Sequence, residues 1–144
     1  MADISQINLP DGSSFNVKDA TARSDKMDKA NPTGTGELSI NRKANTTVGN
    51  KSSTLGYNCT ASGSYSHAEG QGTTASGNYG SHAEGAGTSA VGSYSHAEGQ
   101  YTVAQGGSSH TEGLSSQTGT NAQGAHAEGN TCIANGEASH AEGY

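Results

Sequence analysis

Small apolar residues alternate with polar ones through most of this chain, in a cassette that keeps returning. Ser66-His67-Ala68-Glu69-Gly70 recurs as Ser81-His82-Ala83-Glu84-Gly85 and Ser95-His96-Ala97-Glu98-Gly99. It recurs again as Ser109-His110-Thr111-Glu112-Gly113, Ala125-His126-Ala127-Glu128-Gly129 and Ser139-His140-Ala141-Glu142-Gly143. Between cassettes lies a second alternating stretch, such as Thr73-Thr74-Ala75-Ser76-Gly77 or Thr88-Ser89-Ala90-Val91-Gly92. A period of two within each stretch predicts strands. The steps between histidines are 15, 14, 14, 16 and 14 residues. A nearly fixed short period marks a solenoid, here a parallel β-roll whose coil has room for two strands and two tight turns.

Alternation also predicts which columns face inward. In the second strand, Cys59, Thr73, Thr88, Thr102 and Cys132 form one small-residue column, with Ser116 in register. Ala61, Ala75, Ala90, Ala104, Ala122 and Ala134 form the other. Thr60, Thr74, Ser89, Val103, Gln117 and Ile133 then face out. In the first strand Ala68, Ala83, Ala97 and Ala127 face inward, which turns His and Glu outward. Glycines after each strand (Gly56, Gly70, Gly85, Gly99, Gly113 and Gly129; Gly63, Gly77, Gly92, Gly106, Gly124 and Gly136) are expected to supply positive φ at the corners. The long steps imply an extra Gly80 at one corner and a bulged loop within residues 117–122. Six coils spaced about 4.8 Å apart make a rod of roughly 30 Å.

Three regions follow: residues 1–30, a transition over 31–51, and the repeat over 52–144, opened by Ser52-Ser53-Thr54-Leu55-Gly56. Residues 4–9 alternate, Pro10-Asp11-Gly12 is a turn signal, and Ser14-Phe15-Asn16-Val17 reads as a returning strand, so a hairpin is predicted. Residues 18–29 are rich in helix formers and stop before Asn31-Pro32, which predicts a short helix. Residues 37–41 alternate and predict one more strand.

Only 29% of residues are hydrophobic, there is one Phe and no Trp, and Gly is 22 of 144. Such a coil buries too little apolar surface to stand alone, so a homotrimer is expected. All 7 Lys and Arg lie at or before Lys51. The repeat therefore has no cations for a phosphate backbone, and no nucleic-acid partner is expected. No apolar run reaches the ~20 residues of a membrane span, and the first residues lack a signal-peptide pattern. Cys59 and Cys132 share a column about 24 Å apart, beyond disulfide reach, and are expected as free thiols.

On the Gly-punctuated 14-residue coil, residues 47–144 resemble the head domain of trimeric autotransporter adhesins. That resemblance implies a left-handed, trimeric β-roll. The family has Ser-Val-Ala-Ile-Gly or Ser-Val-Ala-Leu-Gly where this chain has Ser-His-Ala-Glu-Gly. Its apolar trimer-core columns match His67, His82, His96, His110, His126 and His140, and Glu69, Glu84, Glu98, Glu112, Glu128 and Glu142. The opening Ile4-Ser5-Gln6-Ile7-Asn8-Leu9-Pro10-Asp11-Gly12, with Val17-Lys18-Asp19-Ala20-Thr21-Ala22-Arg23, is similar to tail-fibre and baseplate-associated proteins of phages and prophages of Gram-positive bacteria. The segments Asn31-Pro32-Thr33-Gly34-Thr35-Gly36 and Asn41-Arg42-Lys43-Ala44 are similar to stretches preceding such repeats. This second resemblance implies a virion component that attaches through its N-terminal residues to other tail or baseplate proteins.

The twelve His and Glu positions are expected to hydrogen-bond between subunits along a three-fold axis. Imidazole and carboxylate also suit zinc-like ions, but the repeat singles out no coil, so neither a metal nor a cofactor is assigned. Identical repetition implies no unique pocket and hence no enzyme. Tyr65, Tyr79 and Tyr94 precede successive cassettes and are expected to stack at one corner. The expected function is that of a structural, host-recognition segment of a phage tail fibre, meeting host cell-surface glycan through a Thr/Ser/Asn-rich face. The alternatives are a metal- or ligand-binding solenoid module and a cell-surface adhesin.

Overall fold

A computed structural model describes residues 6–8, 14–16 and 38–144. Strand β1 (Gln6–Asn8) pairs antiparallel with β2 (Ser14–Asn16), placing Ile7 opposite Phe15, which is the pairing a hairpin requires. The helix expected over 18–29 lies outside the described residues.

The repeat is an all-β parallel solenoid of about six coils, and no helix occurs among the described residues. Strand β3 (Leu38–Arg42), where alternation predicted it, pairs in parallel with β4 (Ser53–Ala61). Strand β4 is long because it rounds a corner, feeding the cassette face at Ser53 and the second face at Ala61. The cassette face continues through β5 (His67–Gln71), β7 (His82–Ala86), β9 (His96–Ala97), β11 (His110–Leu114), β13 (His126–Asn130) and β15 (His140–Gly143). The second face continues through β6 (Thr74–Ala75), β8 (Ser89–Ala90), β10 (Val103–Ala104), β12 (Gln117–Thr118) and β14 (Ile133–Ala134). Each residue pairs with its equivalent in the next coil: His on His, Ala on Ala, Glu on Glu.

The interior is what alternation required. Ala61, Ala68, Ala75, Ala83, Ala90, Ala97, Ala104, Ala127 and Ala134 are buried, as are Thr73, Thr88, Thr102 and Cys59. Cys132, near the end of the stack, is only partly buried. Both thiols are free. Their column hydrogen-bonds across the coil: Cys59 Sγ, Ser116 Oγ and Cys132 Sγ donate to the carbonyls of Gly70, Gly129 and Gly143. Thr88 and Thr102 donate instead to the carbonyls of Glu84 and Glu98. A buried hydroxyl needs such a partner to offset its lost water, and in this column Thr73 Oγ1 is the member that lacks one.

One alignment changes. Ala104 pairs with Thr118, and Thr118 with Ala134, so Thr118 and not Ala122 belongs to the inward column. The two extra residues of the 16-residue step follow the strand, and Ala122 falls in the second glycine column, beneath which Gly106 sits. Thr118 keeps its hydroxyl satisfied by donating to Ser109 Oγ at 2.9 Å while accepting from the Gln105 N–H at 3.1 Å.

The corners correct a second expectation. After the cassette strand, glycine does adopt positive φ, from 97° at Gly113 to 134° at Gly56. A Cβ on these residues would lie 2.0–2.2 Å from the next coil's glycine carbonyl oxygen, so two independent constraints exclude a side chain. After the second strand, Gly49, Gly63, Gly77, Gly92 and Gly106 do not have positive φ, and neither does Gly136. The first five are glycine because a Cβ would lie 1.9–2.0 Å from a carbonyl oxygen above; at Gly136 it would meet only Ser139, at 3.5 Å. Gly124 lies outside that column, at φ 63° in open space.

Candidate functional site: the histidine–glutamate face

Each cassette strand presents His and Glu on one side because the residue between them, alanine or in β11 Thr111, points inside. In-register parallel pairing then stacks like on like. The imidazoles of His82, His96, His110, His126 and His140 lie 4.8–4.9 Å apart with interplanar angles of 1–6°. The spacing is that of the strands themselves.

Within one chain the carboxylates reach the histidine of the following coil. Glu69 Oε1 is 3.9 Å from His82 Nε2, Glu84 Oε1 3.6 Å from His96, and Glu98 Oε1 3.3 Å from His110. Glu112 Oε1 lies 3.2 Å from His126 and Glu128 Oε1 3.7 Å from His140. Some pairs also close within a strand, as between His67 Nε2 and Glu69 Oε2 at 3.4 Å. The six histidines and six glutamates singled out by the repeat are thus assembled into one face.

Most of these side chains are about one-third exposed, so the pairs rank with surface ion pairs, worth about 0–1 kcal/mol each. Burial is the first cause that holds the His82 imidazole below its ordinary titration range. The neighbouring His96 and His67 add to it, against Glu84 and Glu69. Glu112 and Glu128 lie side by side and share hydrogen bonding. The contact pushes Glu128 up from the carboxylate range and Glu112 down. Nε2 of His82 and of His96 is shielded from solvent without a hydrogen-bond partner.

Beside the Glu column runs a shallow groove lined by Leu55, Glu69, Glu84, Glu98 and the corner glycines. Its floor is flat because those glycines carry no side chain.

Two inward elements were not assigned from the sequence. Ser66, Ser81, Ser95 and Ser109 are buried and donate to glycine carbonyls at the start of each turn. Thr111 replaces alanine inside. A serine before five of the six histidines, with Ala125 before His126, was the available signal. At the corners, Tyr79 and Tyr94 stack at 5.5 Å and 18°, as expected, while Lys51 lies over the Tyr65 ring. Among the described residues no helix is long and apolar enough to cross a membrane. No family model, curated protein or solved structure matches the chain.

Proposed function

We propose that this chain is a non-enzymatic structural element: a trimeric β-roll segment of a phage tail fibre, joined through its His/Glu face. The supporting observation is that face itself. It is continuous, in register and one-third exposed, on a rod whose interior holds only alanine, serine, threonine and cysteine side chains. An interior this small contributes little hydrophobic stabilisation, so a subunit contact has to add to it. Three copies of one repeating surface close around an axis without leaving an unmatched edge. Glutamates of one chain meeting imidazoles of the next would exchange weak solvent-exposed pairs for more buried, charge-assisted ones. In this reading residues 1–30 join other tail or baseplate proteins, and the outer Thr- and Ser-bearing second face meets host glycan.

Light scattering on the whole chain at neutral pH tests the assembly. Three chain masses is the expected result; a folded monomer across the micromolar range overturns it. The virion assignment is tested separately, by labelled antibody against the repeat on purified particles.

A further inference from the structure

The His/Glu face is nearly uniform, but its first histidine coil is not. Four groups on the face bring three ligand atoms within 4.8 Å of one another. In the group His67, Glu69 and His82, the His67 ring is tilted 48° from the His82 ring, whereas every later pair of imidazoles is parallel to within 6°. The cause is the coil before it, where Ser53 occupies the histidine column. The Ser53 hydroxyl meets Nδ1 of His67.

Tilt and partner both matter chemically. Parallel stacked imidazoles point their lone pairs along parallel lines and do not converge on one ion; the 48° tilt between His67 and His82 removes that parallelism. With Ser53 Oγ accepting from Nδ1–H, the His67 lone pair is left on Nε2, the orientation that an outer partner imposes on ligating histidines. Glu69 lies between the two rings, its oxygens 3.4 Å from His67 Nε2 and 3.9 Å from His82 Nε2. Ligands bonded at about 2.0–2.2 Å around a tetrahedral ion stand roughly 3.3 Å apart, so these pairs need little movement. His82 Nε2 is in addition shut off from solvent and without a hydrogen-bond partner, a state it shares with His96 Nε2.

We propose that His67, Glu69 and His82 bind one divalent ion of the zinc class, with Ser53 as the positioning residue for His67. Two imidazoles, one carboxylate and an open fourth position are a donor set that zinc accepts. The site stands on residues of a single chain and does not require the trimer.

Calorimetric titration of the dialysed full chain with zinc chloride tests it, with cobalt(II) absorption reporting the coordination geometry. One tight equivalent per chain is expected, followed by weaker binding along the rest of the face. His82→Asn abolishes the tight phase, and Ser53→Ala weakens it by about ten- to a hundred-fold. His110→Asn, three coils along, retains it. Circular dichroism checks that each variant folds, and if His82→Asn does not, Glu69→Gln carries the same expectation. Absence of a tight phase in the unmodified chain overturns the proposal, as does equal loss in His82→Asn and His110→Asn. Light scattering on the same samples reports assembly apart from zinc uptake.

Discussion

At the residue scale, two kinds of glycine hold the corners, and they should respond differently to substitution. Gly85 has φ 106° and its Cβ would lie 2.1 Å from the Gly99 carbonyl oxygen. Gly85→Ala is expected to cost about 3 kcal/mol or more, since neither the backbone nor the coil above can yield cheaply. Gly72 has φ 66° with open space around its Cβ position. Equivalent coils place Asn58, Tyr101 and Thr131 there, at φ 56–59°. Gly72→Ala is expected to cost only about 1 kcal/mol. Urea midpoints for the two variants check the contrast. The glycine columns were legible in the sequence, but their reason was only half so. Spacing identifies a corner, and it does not say whether glycine is needed for φ or for room. Tyr65, Tyr79 and Tyr94 made the point in reverse, adopting φ 59–62° where no glycine signals it.

At the scale of the element, a coil is two short strands around side chains no larger than threonine. Ala97 has no exposed surface and sits between Ala83 and Thr111. Ala97→Leu is expected to destabilise by about 3 kcal/mol or more, because every added methylene must displace a strand. Val103→Thr, on the outward side of β10, should change stability by less than about 0.5 kcal/mol. Thermal unfolding of both variants checks this. The period-two pattern was enough to place nearly every inward column, since the same alternation is repeated coil after coil. It failed at Ala122, where the 16-residue step offered two alignments. Ala122 offers the alanine that residue type favours, yet Thr118, held by the strand and by Ser109, keeps the ladder unbroken. The inward serines were also missed. Their role is a hydrogen bond to a turn carbonyl, which composition does not announce.

At the scale of the whole molecule, the histidine face ties stability to pH. His82 titrates below its ordinary 6.5, so the folded chain binds fewer protons there than the unfolded chain. The stability this implies is full above the unfolded value and is lost as pH falls from about 6.5 toward the folded pKa. His67, His96, Glu69 and Glu84 face this imidazole, and the histidines act in the same direction. Urea midpoints measured from pH 7.5 to 5.5, above the carboxylate range, should fall with acidification, and His82→Gln should flatten the slope. A midpoint that rises as pH drops would contradict the assignment. That Ser53 stands in the histidine column was legible from the alignment of Ser52-Ser53-Thr54-Leu55-Gly56 on the cassette, and its pairing with His67 bears this out; the tilt of the His67 ring against His82 was not.

Equal pairing of each coil on the one below, at a pitch of 4.8–4.9 Å for most imidazole pairs, makes this protein a ruler. Duplicating one 14-residue unit would lengthen it by a single graduation while leaving each neighbour contact as it was. Gene-level gain or loss of units would then adjust reach in fixed increments, without any new packing problem to solve.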